Sequence, residues 1–273
     1  MKEYTVSIAG QDESLQIHVL ASGSSGNATL VVHGSTAFLI DAGISARRIT
    51  QGIKSFGIMP DQLAGVFITH EHSDHIAGLP QLIKQYDLPI FTKKATMSEI
   101  IRRKGLQKGR FTALTGSSMA MGSLTVEYFS TSHDAIDPIG LEIIAGSEKA
   151  TYMTDTGIID ANMLGHMDDS RLLVLEANYD PQMLRYGPYP ADLKRRVAGS
   201  HGHLSNESAA RALIMMKRPA ELEVIMAHRS EHNNAQPVVT DTLEHLLTAE
   251  GIVVGDGLTV KHGQPKEAVS IGG

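Results

Sequence analysis

Ten residues, Thr69 to Gly78 (THEHSDHIAG), concentrate the side chains best able to do chemistry in this chain. His70, His72, Asp74 and His75 fall within six consecutive positions, directly after the apolar run Val66-Phe67-Ile68. Imidazoles at alternate positions of an extended segment project to the same side. The Asp-His pair beyond them can address a second point if the backbone bends there. Such an arrangement suits two metal ions held close together by nitrogen and oxygen ligands, without thiolate. It is not the helical HExxH zinc motif: Glu71 follows His70, but the fifth position is Asp74 rather than histidine.

Four further clusters each follow an apolar strand, where loops converge at a sheet edge. They are Ser132-His133-Asp134 with Asp137, Thr154-Asp155-Thr156-Gly157, Gly202-His203-Leu204-Ser205-Asn206, and His228 with Arg229, Ser230, Glu231, His232, Asn233 and Asn234. One histidine at a strand end is ordinarily structural. Four such ends beside the cluster at 70–75 point instead to a metal centre.

Several residues carry two readings. Ser205 caps a helix starting near Asn206, or, with Asn206, donates to a substrate phosphate. Ser230, Asn233 and Asn234 contact such a phosphate or fix the loop that carries His228. His232 is not expected to be a ligand, and Asp41 is expected to hold a loop behind the site. The loop Gly23-Ser24-Ser25-Gly26-Asn27 lacks the Lys and Ser/Thr of a P-loop. It is either a plain tight turn or one whose backbone N–H groups approach a phosphate.

The elements that must position these groups alternate between strand and helix. Strands are expected at 16–21, 28–33, 37–40, 65–69 and 89–92, with helices at 46–56, 76–86 and 95–104. From about Arg110 the chain turns strand-rich, with strands at 124–129, 139–145, 150–153, 171–175 and 223–226. Helices are expected there at 160–166, 190–198, 206–216 and 238–250. A closing hairpin is expected at 252–261 around Gly255-Asp256-Gly257. One faint internal echo relates Asp41, Gly43 and Ile44 to Asp155, Gly157 and Ile158, each at a strand end. Mixed elements in two similar halves suggest layered sheets flanked by helices.

The chain has 273 residues, 42% hydrophobic and 20% charged, ample for a sizeable core. No long linker or charge block divides it, so one domain over 1–273 is expected. A net charge of −6 gives no global attraction to nucleic acid or anionic membranes. Without cysteine, disulfides are excluded and any metal must be held by His, Asp or Glu. No secretory leader or membrane span is legible, which favours the cytoplasm. The basic runs Arg102-Arg103-Lys104 and Lys194-Arg195-Arg196 are solvated helix faces or tracks for a nucleic-acid backbone. Aromatic residues make up 5%, with no Trp, so an extensive base-stacking platform is not expected.

These residues resemble the metallo-β-lactamase superfamily. His70, His72, Asp74 and His75 match its HxHxDH motif, His133 its third-motif histidine, Asp155 its bridging aspartate and His228 its last histidine. Gly23–Asn27, Glu176–Asn178, Gly202–Asn206 and the tail Ser230–Asn234 are similar to the YycJ/WalJ-like branch, regarded as 5′-acting DNA exonucleases or phosphodiesterases. The resemblance implies a mixed α/β fold, a four-layer αββα sandwich. It implies a dinuclear centre in which His70, His72 and His133 hold one ion, and Asp74, His75 and His228 the other. Asp155 bridges them, and a bridging hydroxide is the nucleophile. Five imidazoles and two carboxylates suit zinc or manganese, with iron also compatible. The lack of cysteine argues against the penicillin-hydrolysing branch that uses a thiolate.

The expected activity is phosphodiester hydrolysis with DNA as substrate, Asp74 assisting the nucleophile and His203 the leaving oxygen. A thioester or lactone hydrolase with the same centre is the alternative, and a non-catalytic metal-containing regulatory or binding protein a further one. No membrane partner is expected, and a homodimer stays open as an assembly.

Overall fold

The computed structural model describes residues 13–273. Residues 1–12, on which the expectation of a leader-free N-terminus chiefly rests, lie outside the described residues.

Apolar alternation builds two seven-stranded sheets. The first runs β14-β1-β2-β3-β4-β5-β6. Its strands are β1 (Gln16–Ala21), β2 (Ala28–His33), β3 (Thr36–Ile40), β4 (Val66–Phe67), β5 (Ile90–Thr92), β6 (Phe111–Ala113) and β14 (Val269–Gly272). The second runs β13-β12-β11-β10-β9-β8-β7. It comprises β7 (Ser118–Met121), β8 (Leu124–Ser130), β9 (Ile139–Ala145), β10 (Glu148–Met153), β11 (Leu172–Glu176), β12 (Leu222–Ala227) and β13 (Leu258–His262).

Period-two side chains sort these residues into layers. Phe38 and Ile40 of β3 join Leu172 and Val174 of β11 in a core between the sheets. Their neighbours Leu39 and Leu173 face outward, into separate cores. Helices α1 (Ala46–Ser55), α3 (Leu79–Gln85) and α4 (Lys94–Lys104) cover the first sheet. Helices α5 (Ala161–Met167), α8 (Asn206–Met215) and α9 (Gln236–Ala249) cover the second. The result is the expected four-layer αββα sandwich. Three short helices complete it: α2 (Ser73–Ile76), α6 (Pro181–Tyr186) and α7 (Ala191–Val197).

Strands β3 to β6 are parallel to one another, as are β10 to β13. Their C-terminal ends therefore open on one edge of the sandwich. Three non-glycine residues just past those ends have left-handed backbones: Asp41 (φ 62°), Asp155 (φ 57°) and His228 (φ 52°). Such conformations cost about 1 kcal/mol or more and cluster at functional sites. The echo between Asp41 and Asp155 is thus a shared backbone conformation at two strand ends.

Two expectations are corrected. The helix expected over 76–86 breaks at Ala77-Gly78 into α2 and α3. Gly78 donates to Ala42 O, and a Cβ there would stand 1.9 Å from Ile44 O, so the chain turns where only glycine fits. The hairpin expected over 252–261 does not form. β13 instead pairs parallel with β12, while Ile252 packs into the outer core of the second sheet. The turn residues Gly255 and Gly257 adopt positive φ, but they lead into one strand rather than joining two.

Candidate metal centre

β4 delivers the first candidate ligands. Past Phe67 the chain continues extended, Ile68 N donating to Phe91 O, so His70 and His72 project together. Their rings stand 4.6 Å apart. The bend follows at once: α2 starts at Ser73 and redirects Asp74 and His75 to a second point. The loop Gly23–Asn27 holds this bend. Asn27 N donates to Asp74 O at 2.8 Å, and Gly43 N donates to Asn27 O at 2.7 Å. The loop's tight-turn reading accounts for the N–H of Asn27, spent on Asp74 O, and of Gly26, spent on Gly23 O.

Among the described residues, two of the converging groups of donor atoms match the expected sets. His70, His72 and His133 converge as one set, and Asp74, His75 and His228 as another; within each set the candidate ligand atoms lie within 4.8 Å of one another. Asp155 stands between them, Oδ1 3.6 Å from His133 Nε2 and Oδ2 3.3 Å from His75 Nε2. His203 Nδ1 stands 3.7 Å from Asp155 Oδ1, and His203 converges with Asp155, Glu176 and His228 as a further group.

The hydrogen-bond partners decide which nitrogen of each ring is bare. His133 Nδ1 meets Gly202 O at 2.8 Å, a carbonyl that can only accept, so His133 Nε2 carries the lone pair. That lone pair faces His72 Nδ1 at 3.3 Å. His75 Nδ1 donates to Asp41 Oδ2 at 2.7 Å, which leaves Nε2 as the lone-pair nitrogen, between Asp74 and Asp155 and 3.1 Å from the Asn27 amide Nδ2. His228 Nδ1 donates to Glu176 Oε1 at 2.9 Å, and its Nε2 faces Asp74 Oδ2 at 3.3 Å. His70 Nε2 and Asp155 Oδ2 are buried without any hydrogen-bond partner. Lone pairs and anionic oxygens aimed at one another need a cation between them. The residues present fit two divalent ions.

Protons are the only other relief available to the bare chain. Burial opposes charge on His228, but Asp155, Asp74 and Glu176 around it outweigh burial and raise it to about 10. His75 is likewise raised well above the ordinary range, against its burial, by Asp41, Asp155 and Asp74. On the other side burial prevails, and His70 and His72 are pushed down into the neutral form that metals bind.

Beside the centre lies a cavity of about 160 Å³, lined among others by Ser24, Asp134, Asn178, Arg196, His203 and Ser230. His203 enters it from the loop before α8, held by Glu176 Oε1 at 2.8 Å from Nδ1. Of the five residues expected to meet substrate, only Ser230 lines this cavity. The other four are buried behind it. Ser205 caps α8, accepting from Ser208 N at 3.1 Å. Asn206 and Asn234 exchange side-chain hydrogen bonds of 3.0 and 2.8 Å. Asn233 turns inward onto Ser230 Oγ. His232 is exposed on the loop beyond.

The sequence reading gave Glu176 no role. Its Oε1 accepts from His203 and His228, its Oε2 from Leu204 N and Thr156 N, each N–H at 3.0 Å. Burial would raise this carboxyl, but the imidazoles of His203 and His228 bring it down to about 2. The available signal was its place at the end of the apolar strand β11, the same signal that marked Asp155 and His228. Asp134 and Arg196, also at the cavity, sat in a cluster and a basic run and were given no individual role.

A family model described as beta-lactamase superfamily domain matches residues 36–228. The chain is 33% identical over 260 residues to exodeoxyribonuclease YycJ of Bacillus anthracis, covering 94% of this chain and 98% of that one. To exodeoxyribonuclease WalJ of Streptococcus pneumoniae it is 31% identical, covering 93% and 96%. Its fold matches a solved metallo-beta-lactamase fold protein, YhfI of Bacillus subtilis, with TM-score 0.69 at 17% identity over 95% of this chain and 100% of that one. With the sandwich, the HxHxDH turn and these relatives in agreement, the chain belongs to the metallo-β-lactamase superfamily, in its YycJ/WalJ branch.

Proposed function

We propose that this chain is a metal-dependent phosphodiesterase acting on DNA, most simply as an exonuclease entering from 5′ ends. The observation that carries this reading is the double set of converging ligand atoms, His70, His72 and His133 against Asp74, His75 and His228, with Asp155 shared. Relatives similar over nearly the whole chain are named exodeoxyribonucleases, which supports DNA as the substrate. Zinc or manganese is the proposed metal, since histidine-rich sites without thiolate favour them, with iron also compatible.

Bound in this donor set, two divalent ions lower the pKa of water from ~15.7 to roughly 7 and offset the charge of a phosphodiester. The chain supplies the rest. Asp41 and Glu176 fix His75 and His228 with Nε2 toward the centre. Asp74, whose side chain is partly exposed, takes the proton of the attacking water. Glu176 accepts from His203 Nδ1, so His203 serves as an acid in its doubly protonated form and passes the Nε2 proton to the departing oxygen. Ser230 and Asn178 line the space that the phosphate enters.

His72→Ala tests the reading. Hydrolysis of bis-p-nitrophenyl phosphate is expected to vanish while circular dichroism is unchanged. Undiminished turnover in a metal-quantified preparation overturns it. Running DNA, a lactone and a glutathione thioester side by side separates phosphodiester chemistry from the thioester or lactone alternative.

A further inference from the structure

The three cations on α7 are used differently. Arg195 pairs with Asp192 on its own helix, and Lys194 Nζ donates to Arg185 O. Arg196 alone reaches across the cavity, where its Nε pairs with Asp134 Oδ2. Asp134 is the residue after His133, and its other oxygen stands 3.4 Å from His133 Nε2 and 4.0 Å from His72 Nε2. A carboxylate therefore occupies the cavity side of the first donor set, tied to a guanidinium. Both groups line the cavity together with His203, Ser24 and Ser230.

Building on the phosphodiesterase reading, we propose that Arg196 is a substrate-phosphate ligand kept in place by Asp134, and that the pair opens by anion exchange. Asp134 is the internal anion that Arg196 holds while the cavity is empty. An entering phosphodiester displaces it, and the guanidinium moves from a carboxylate oxygen to a phosphate oxygen. The planar fork of Arg donates to either anion in the same geometry. The exchange is cheap because the pair is open to water, with side chains 59% and 30% exposed, and ion pairs of that kind are weak. No bond is made or broken in this step. Asp134 sets the threshold that an anion must exceed, which favours a phosphate also held by the metal ions over a free carboxylate.

The test uses full-length protein and two readouts. The first is binding of a short 3′-fluorophore-labelled single-stranded DNA, by anisotropy with chelator present. The second is KM for bis-p-nitrophenyl phosphate with metal loaded. R196Q is expected to weaken DNA binding about tenfold, lower the salt slope by about one, and raise KM with kcat nearly unchanged. D134N frees Arg196 and is expected to tighten binding several-fold. In the R196Q background that gain should disappear, because no guanidinium remains to be released. A D134N gain of equal size in both backgrounds, or D134N weakening binding as R196Q does, overturns the exchange. This binding pattern across the variants, with a wild type that hydrolyses no phosphodiester, sinks the proposed function alone. Hydrolysis by wild type with R196Q binding DNA as tightly sinks the exchange alone.

Discussion

Asp41 Oδ2 lies 2.7 Å from His75 Nδ1, and both side chains are fully buried. Asp41 also accepts from Thr69 N at 2.9 Å, so one left-handed residue at the end of β3 aligns the strand extension and the bend of the HxHxDH segment. Asp41→Asn turns an N–H toward a ring nitrogen that needs an acceptor. Metal affinity at the Asp74–His75–His228 set should fall about 10- to 100-fold, by competition with a chromogenic chelator. An affinity equal to wild type would show that Asp41 does not orient His75.

Glu176 can be replaced by no neutral isostere. All four of its hydrogen bonds come from donors, and glutamine must present its NH2 to two of them. Glu176→Gln is expected to cost about 2–4 kcal/mol of stability for the buried N–H groups left unpaired. Urea unfolding measures this, and His203→Gln provides the control that keeps Glu176 intact.

His203→Ala should separate catalysis from assembly. Turnover is expected to fall about 10²- to 10³-fold while bound metal, counted by elemental analysis, stays at the wild-type level. Equal loss of metal and turnover would make His203 structural.

Gly43 stands where β3 meets the bend. A Cβ there would lie 1.6 Å from Asp74 O, a backbone atom that cannot rotate away. Gly43→Ala should push α2 off the Gly23–Asn27 loop, lower stability by about 2–4 kcal/mol and reduce metal binding with it. Unchanged metal binding would mean the bend tolerates displacement.

His18 predicts a pH dependence away from the metal. It is buried on β1, stacked on Phe56 at 3.8 Å and bonded to Ser270 Oγ at 2.7 Å, and burial lowers it from 6.5 to about 4. Below pH 6.5 the unfolded chain takes up a proton that the folded chain refuses. Stability is therefore complete above 6.5 and falls as pH drops toward 4, by at most about 3 kcal/mol. Between those pH values His18→Gln, measured by urea unfolding with chelator throughout, should lose less stability than wild type. Parallel curves would exclude His18 as the source.

The candidate ligands were legible in the sequence because each sits where an apolar strand ends, and a strand's period and length are local properties. His133, Asp155 and His228 are more than fifty residues from the first cluster, yet the edge on which all of them must lie follows from parallel strands ending together. Tertiary structure alone decided which nitrogen of each ring is turned toward the centre, because that depends on partners far away in the chain: Asp41 for His75, Gly202 for His133 and Glu176 for His228. It also turned four polar residues, Ser205, Asn206, Asn233 and Asn234, away from the cavity into a buried network, since burial is set by what packs above a loop and not by the loop's own letters. The break at Gly78 and the lone strand in place of a hairpin have the same origin: backbone groups from a neighbouring element took the hydrogen bonds that local spacing had assigned within the segment.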